Sequence, residues 1–172
     1  MKHIWKKLLP LLTVPFLVLL DQLTKAAAGS RLKGQPDYPL LADILEFSYL
    51  ENTGAAFSSF LGKQGFLITL TSLVMLFLLV KYVQIPEGKH YLPMHLSLLL
   101  IISGGIGNLI DRVANGYVID FIYFVPIDFP KFNVADCYVT VGMALLCIVC
   151  FFYYKDDELD FLFSIKPKSG NR

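Results

Sequence analysis

Four stretches of the chain are apolar over the length of a whole helix, and polar residues gather between them. These stretches cover about residues 8–28, 66–83, 91–110 and 134–154. Each approaches the roughly 20 residues that a helix needs to cross a hydrocarbon layer about 30 Å thick. Apolar side chains surround each helix without a separate polar face, which is typical of helices buried in lipid or in a bundle. The pattern therefore predicts an all-α membrane protein built as a bundle of four transmembrane helices.

The long connection between the first two helices carries a different pattern. Apolar and polar residues alternate over residues 45–49, as they do in a half-buried strand. Residues 52–54 then form a turn, and the apolar residues 55–57 resume the strand. We expect a small extracytoplasmic antiparallel β-sheet over about residues 38–62, lying on the outer membrane face.

Composition agrees with a membrane location. Of the 172 residues, 55% are hydrophobic and 17% are charged, against about 25% charged residues in a typical soluble domain. The length predicts a single integral membrane domain over residues 1–172. The net charge of +1 does not provide the basic surface that nucleic acid requires, so no nucleic-acid partner is expected. We expect a monomer surrounded by membrane lipids.

The distribution of basic residues predicts the orientation. Nine of the fifteen Lys and Arg residues would lie on one side of such a bundle, and the positive-inside rule assigns that side to the cytoplasm. Both termini are then cytoplasmic, with a solvated tail over residues 155–172, and the two longer connections face outward. The nine residues are Lys2, Lys6, Lys7, Lys81, Lys89, Lys155, Lys166, Lys168 and Arg172.

The first apolar segment has a second interpretation. A basic start, an apolar run over residues 8–20 and the small residues 26–29 resemble a cleavable signal peptide. Against this interpretation, Asp21 and Lys25 lie between the apolar run and the small residues. We therefore expect the segment to be retained as the first transmembrane helix.

Polar groups at membrane depth are expensive and commonly functional, so they are the most informative residues of this chain. They fall into five clusters on the side predicted to face outward. In chain order these are DQLTK (21–25), NTGAAF (52–57), GGIGNLIDR (104–112), VIDF (118–121) and FNVAD (132–136).

Four of the five clusters also have a structural explanation, which for residues 52–57 is an ordinary turn at the end of a strand. Asp21 and Lys25 share a helix face and could simply anchor a helix end. Arg112 could extend its charge towards the membrane interface. Asn133 and Asp136 have the spacing of a capping box at the start of the fourth helix, which alone would account for both.

Two acids of these clusters suggest hydrolytic chemistry. Asp120 and Asp136 flank one short connection, so the third and fourth helices would bring them to the same depth. Two facing carboxyl groups do not both ionise easily, so one keeps a proton. The ionised group can activate water while the neutral group polarises a carbonyl, which hydrolyses a peptide bond without a covalent intermediate.

Other classes of function remain as alternatives. A Ser–Lys hydrolase would use Lys25 with an outward serine, for which Ser48, Ser58 or Ser59 are available. A transporter or channel would use acids as ion relays, but it predicts acids distributed through the membrane depth. A purely structural subunit would leave the five polar clusters unexplained.

The cysteines do not suggest a metal or redox site. Cys147 and Cys150 form a C-x-x-C, but they lie in an apolar helix with Cys137. In that setting they are expected to be small buried hydrophobic residues.

In this order, and on this four-helix layout, the five motifs resemble those of the bacterial lipoprotein signal peptidases (signal peptidase II). The resemblance runs from Asp21 to Asp136, about two thirds of the chain. It implies an aspartic endopeptidase of the bacterial plasma membrane, with its active site near the outer face. It also implies the substrates, which are diacylglyceryl-modified prolipoproteins cut just before the lipidated cysteine.

The resemblance implies roles for individual residues as well. Asp120 and Asp136 match the catalytic pair. The other matched positions bind the substrate backbone or organise the site, and they are Asn52, Gly54, Asn108, Arg112, Asn133, Asp21, Lys25 and Asp111. No cofactor and no metal is implied.

Two finer expectations concern the acids. The first turn of a helix favours negative charge, so Asp136 is expected to be ionised at rest. Asp120 is expected in a loop among apolar neighbours, where loss of hydration favours the protonated form. We expect Asp111 to orient Asn108 and Arg112.

Overall fold

The computed structural model describes residues 9–54, 62–159 and 161. It contains four long helices: α1 (Thr13–Leu32), α2 (Gln64–Gln84), α3 (Leu92–Asn115) and α4 (Val134–Ile148), which continues into a π-helical turn (Val149–Tyr153). All four segments are long and apolar enough to cross a membrane. The prediction of a four-helix membrane protein is confirmed.

Two helices extend further than their apolar runs suggested. α1 ends at Leu32 rather than near residue 28, and α3 ends at Asn115 rather than near residue 110. A helix can continue beyond its apolar stretch because its backbone hydrogen bonds are internal. The C-cap of α3 is Gly116, which has a φ of 78° and donates its N–H to the Arg112 carbonyl at 3.1 Å. Glycine adopts this left-handed conformation without steric cost.

Three strands form one antiparallel sheet in the order β1 (Tyr38–Leu41), β2 (Leu45–Asn52) and β3 (Val118–Phe124). The sheet was predicted, but its third strand was not. Val118 to Phe124 is almost entirely β-branched and aromatic, which favours strand structure once a partner strand is beside it. The expected strand at residues 55–57 lies outside the described residues.

The position of β3 corrects the expectation that Asp120 lies in a loop. β3 pairs with β2 so that Asp120 lies opposite Leu50 and Val118 lies opposite Asn52. The two prolines of this connection, Pro126 and Pro130, come after the strand has ended. Asp120 is therefore held by the backbone hydrogen bonds of a sheet.

α3 packs against all three other long helices. Its glycines allow the closest approach: a Cβ atom added at Gly104 would lie 2.3 Å from the Ala135 carbonyl oxygen of α4. α3 therefore brings its own polar residues within contact distance of the start of α4. We call this end of the bundle, next to the sheet, the sheet end, and the opposite end the far end.

The far end is closed by aromatic side chains and by part of the C-terminal segment. Leu159 is 8% exposed, and Phe161 packs against the core cluster that includes Tyr82. The expectation of a solvated tail from residue 155 is therefore wrong at these two positions, since both have apolar surface to bury. Residues 162–172 lie outside the described part of the chain.

Candidate active site

Asp120 is buried on β3 between two amide donors. The side chain is 2% exposed. Asn52 Nδ2 donates to its Oδ2 at 2.8 Å, and Asn133 Nδ2 donates to its Oδ1 at 2.7 Å. Burial raises the pKa of the Asp120 carboxyl to about 6, and the neighbouring charge of Asp136 acts in the same direction, although the two amide donors oppose the rise.

Asp136 lies in the first turn of α4 and closes the predicted capping box, which is confirmed. Asn133 Oδ1 accepts from the Asp136 backbone N–H at 3.0 Å, and Asp136 Oδ2 accepts from the Asn133 backbone N–H at 3.1 Å. The other oxygen of Asp136 accepts from Asn108 Nδ2 at 2.8 Å. Both carboxylate oxygens thus receive an N–H, which favours the ionised form.

Asn133 connects the two acids. Its side chain is fully buried, its amide oxygen binds the Asp136 backbone, and its amide nitrogen binds Asp120. The same nitrogen lies 3.2 Å from Asn108 Oδ1. The two acids are therefore held on either side of one asparagine, and the capping explanation and the site explanation apply to it together.

Lys25 lies behind Asn108 and is almost fully buried, with 2% of the residue exposed. Its ammonium group binds Asp21 Oδ2 at 2.9 Å and Asp111 Oδ2 at 2.8 Å. It also donates to Asn108 Oδ1 at 2.8 Å. The predicted pairing of Asp21 with Lys25 is confirmed.

Asp111 contacts Lys25 and Gln22, which the sequence analysis did not name as its partners. Its carboxylate binds Lys25 and accepts from Gln22 Nε2 at 3.0 Å, because this face of α3 is turned towards α1. Its effect on Asn108 therefore passes through Lys25.

Asp21 joins three helices. Its Oδ1 accepts from the Ala135 backbone N–H of α4 at 2.9 Å. A Cβ atom added at Gly107 of α3 would lie 2.6 Å from its Oδ2. The close approach of α1, α3 and α4 at this point requires a residue without a side chain at position 107.

Arg112 holds the end of β2. Its Nη2 donates to the Gly54 carbonyl at 3.0 Å, and its Nη1 lies 3.4 Å from the Asn108 carbonyl. The Gly54 N–H in turn donates to Asn52 Oδ1 at 2.9 Å. The turn at residues 52–54 is thereby fixed to α3, with the Asn52 amide aimed at Asp120.

One residue of the cluster was missed by the sequence analysis. Gln22 Nε2 lies 3.2 Å from Asp21 Oδ2, 3.2 Å from the Gly107 carbonyl and 3.0 Å from Asp111 Oδ1. A polar residue between Asp21 and Lys25 in an apolar helix was the available signal.

The structure thus brings all ten sequence-predicted residues to the sheet end, in one connected set of hydrogen bonds and ion pairs. A protonated and an ionised carboxyl group held in this way can donate and accept protons around one reacting carbonyl. In the part of the chain that the structure describes, no group of three His, Cys, Asp or Glu residues could hold a metal ion.

Comparison with known proteins gives consistent matches. A family model described as Signal peptidase (SPase) II matches residues 13–152. A lipoprotein signal peptidase of Clostridium tetani is 46% identical over 81% of this chain and 88% of its own length. One of Streptococcus pyogenes is 42% identical over 88% of this chain and 97% of its own length. A solved structure described as a bacterial membrane enzyme superimposes with a TM-score of 0.75 at 28% identity, covering 86% of this chain and 92% of that chain.

Proposed function

The chain belongs to the signal peptidase II family and is a multi-pass membrane peptidase. From this family membership we propose the substrate of the enzyme and the mechanism by which it cuts. It removes signal peptides from diacylglyceryl-modified prolipoproteins and cuts just before the lipidated cysteine. Asp120 and Asp136 carry out the hydrolysis. No metal and no covalent acyl intermediate takes part.

The single observation that carries this proposal is the link between the two acids. Asn133 donates from its side chain to Asp120 and accepts from the backbone of Asp136. A capping box needs only Asn133 and Asp136. The additional bond to a buried acid on the sheet has no role in capping, and it holds two carboxyl groups beside one another.

The two acids have different surroundings, which supports different roles. Asp136 accepts two hydrogen bonds at a helix N-terminus and is the ionised partner. Asp120 is buried in the sheet, with a pKa raised to about 6, and it holds the proton in the reactive form of the pair, which is most populated below about pH 6.

The reaction then proceeds in two steps, the addition of water and the breakdown of the gem-diol, and each step includes two proton transfers. Asp136 takes a proton from water, the hydroxyl oxygen bonds to the scissile carbonyl carbon, and Asp120 gives its proton to the carbonyl oxygen. The resulting gem-diol returns a proton to Asp120. Asp136 gives its proton to the amide nitrogen as the C–N bond breaks, which releases the amine and the carboxylic acid and restores both groups.

The remaining residues orient these groups and the substrate. Asn52, Gly54 and Arg112 form the rim of the site and bind the substrate backbone. Asn108 holds Asp136, and the cluster of Asp21, Lys25 and Asp111 holds Asn108.

The membrane supplies the rest of the recognition. A lipid-modified substrate is confined to the bilayer, so its cleavage site arrives at a fixed depth beside the two acids. The site lies near the outer face of the plasma membrane, and both termini are cytoplasmic, as the distribution of basic residues indicates. The enzyme acts as a monomer and forms a single integral membrane domain.

Purified protein incubated with a diacylglyceryl-modified prolipoprotein tests the proposal. Intact mass should resolve two products, with the cut just before the modified cysteine. The same prolipoprotein without the diacylglyceryl group is the matched control and should stay whole. Cleavage of both forms alike would contradict the proposed substrate class, and cleavage of neither would contradict the proposed activity.

A further inference from the structure

Gln22 is the residue of the cluster that neither the motif analysis nor the proposed mechanism uses. It lies on α1, between the two residues of the Asp21–Lys25 pair, and its amide nitrogen faces three acceptors. Two of these acceptors are the carboxylates of Asp21 and Asp111, which are also the two anions that bind Lys25.

Lys25 has three N–H donors, and three acceptors surround it. Two are the carboxylates, and the third is Asn108 Oδ1 at 2.8 Å. Because Oδ1 of Asn108 is turned towards the ammonium group, its amide nitrogen is turned towards Asp136, to which it donates at 2.8 Å. The ammonium group at 2.8 Å and the Asn133 amide nitrogen at 3.2 Å thus both hold Oδ1 of Asn108 away from Asp136, and the ammonium group is the nearer of the two donors.

The ammonium group is held in place only if its two carboxylates are held. Asp21 is fixed through its other oxygen by the Ala135 backbone N–H of α4 at 2.9 Å. For Asp111 the described partner at the other oxygen is Gln22, at 3.0 Å. Gln22 Nε2 also lies 3.2 Å from the Gly107 carbonyl, so one amide joins α1 to the backbone and the acid of α3.

We propose that Gln22 is a positioning residue for catalysis: by holding Asp111 against Lys25, its amide keeps Asn108 aimed at Asp136. The inference rests on the proposed function, since it concerns the geometry of the same pair of acids. Gln22 would thus influence proton transfer through Asp111, Lys25 and Asn108, without touching the substrate.

A glutamine is suited to this position because its amide carries no charge. The charged and titratable groups that face these acceptors are Asp21 and Lys25 on α1, Asp111 and Arg112 on α3, and Tyr138 and Asp136 on α4, with Asp120 on β3 behind Asn108. A carboxylate at position 22 would face Asp21 and Asp111 and repel both. A protonated carboxyl group could donate one hydrogen bond in place of the amide.

The experiment compares Gln22→Met with Gln22→Glu in the cleavage assay on the diacylglyceryl-modified prolipoprotein. We expect Gln22→Met to lower kcat by about 10- to 100-fold with KM within about twofold, because the reacting groups are displaced while the rim of the site is unchanged. Gln22→Glu should be similarly impaired at neutral pH. Its activity relative to the parent should recover as the pH falls, because the new carboxyl group then carries a proton.

A matched control is available at the far end. Gln84 accepts from Lys81 Nζ at 3.2 Å, so Gln84→Glu introduces the same carboxyl group beside another buried lysine. This variant should keep the activity and the pH profile of the parent. Thermal melting of all variants in detergent, followed by size exclusion, reports whether each one is folded.

The outcomes separate the inference from the proposed function. If the parent cleaves the substrate and folded Gln22→Met retains its kcat, the positioning role is wrong. If Gln22→Glu is impaired equally at every pH, the protonation argument is wrong and the role is merely structural. If the parent itself does not cleave the substrate, the proposed function fails first.

Discussion

The two ends of the helix bundle hold their acidic side chains differently. At the sheet end, Asp21, Asp111 and Asp120 are buried, each with 0–2% of the residue exposed. At the far end, the acids that the structure describes lie at the surface, where Glu158 binds His90 at 2.9 Å with both side chains partly exposed. The interior of the far end is closed by stacked rings instead, such as Tyr91 on Tyr154.

This difference indicates why carboxylates are buried at the sheet end. A bundle end can be closed with rings and with hydroxyl-to-backbone bonds, as Tyr154 shows by donating to the His90 carbonyl at 3.0 Å. Burying carboxylates removes them from water and stabilises the fold less than an apolar packing of similar volume often does. Among the residues that the structure describes, the buried acids lie at the sheet end, and this concentration is better explained by chemistry than by stability.

The sharpest test of the comparison removes one of the two proposed catalytic carboxyl groups at a time. Asp120→Asn and Asp136→Asn should each lower turnover by about 1,000-fold or more, because the mechanism needs one proton donor and one proton acceptor. Cleavage of the lipidated prolipoprotein, followed by intact mass, measures this loss.

The control for these variants is a conservative change of an acid at the far end. Glu158→Gln should keep full turnover, since the described partners of this carboxylate are His90 and the Lys155 backbone, both at the far end. Asp120 and Asp136 form the proposed catalytic dyad. If either dyad variant keeps more than a few percent of the parent turnover while remaining folded, this assignment is wrong.

Much of this site was predictable from the sequence, for a physical reason. In an apolar chain, each polar residue at membrane depth stands out, and the spacing of Asp21 and Lys25 gave their pairing directly. The spacing of Asn133 and Asp136 likewise gave the capping box. Local rules were sufficient wherever both partners lie on one helix.

What could not be predicted depends on contacts between distant segments. β3 forms only because β2 lies beside it, more than sixty positions earlier in the chain, as the pairing of Val118 with Asn52 shows. The partners of Asp111 depend on how α3 is rotated against α1, which the sequence pattern alone does not fix. Gln22 stands out in the sequence as a polar residue in an apolar helix, but its partners, the Gly107 carbonyl and Asp111, lie on another helix and depend on how the two helices pack.

A smaller effect is expected from the acid behind the dyad. Asp111→Asn should lower kcat by about 10- to 100-fold, less than the dyad variants, because it weakens the hold on Lys25 without removing a reacting group. Single-turnover cleavage separates this loss from any change in substrate binding. If Asp111→Asn is inactive while Asp120→Asn works, the catalytic acid has been assigned to the wrong position.

The pH dependence tests the environment of Asp120. Burial raises its pKa to about 6, and the proposed mechanism needs it protonated. The competent fraction is therefore largest below about pH 6 and falls as the pH rises through that value, by up to about tenfold per unit above it. A profile of kcat/KM from about pH 5 to about pH 8 measures this limb. A limb that rises through the same range would mean that Asp120 is the base and Asp136 the acid.

Removing one donor to Asp120 sharpens this measurement. Asn52 donates to the carboxylate at 2.8 Å and so favours its charged form, against the effect of burial. Asn52→Leu should therefore raise the pKa further and move the falling limb to higher pH. The expected loss of turnover at the optimum is several-fold, since Asn52 also lies on the rim of the site. An unmoved limb would show that another group controls it.

The smallest effect on activity is expected where one hydrogen bond is removed at the far end. Tyr154 is 7% exposed and donates its hydroxyl to the His90 carbonyl, so Tyr154→Phe leaves that carbonyl without this donor but keeps the ring stack. Such a bond contributes about 1 kcal/mol, which corresponds to a decrease in Tm of about 2 to 4 °C.

Turnover of Tyr154→Phe should stay within about twofold of the parent, because the far end is remote from the dyad and distant sites act independently. Asn52→Leu removes side-chain hydrogen bonds at the sheet end instead, one to Asp120 and one from the Gly54 N–H, and there turnover should fall. A loss of turnover in Tyr154→Phe as large as in Asn52→Leu would mean that the two ends are coupled, and the division between a chemical end and a structural end would no longer hold.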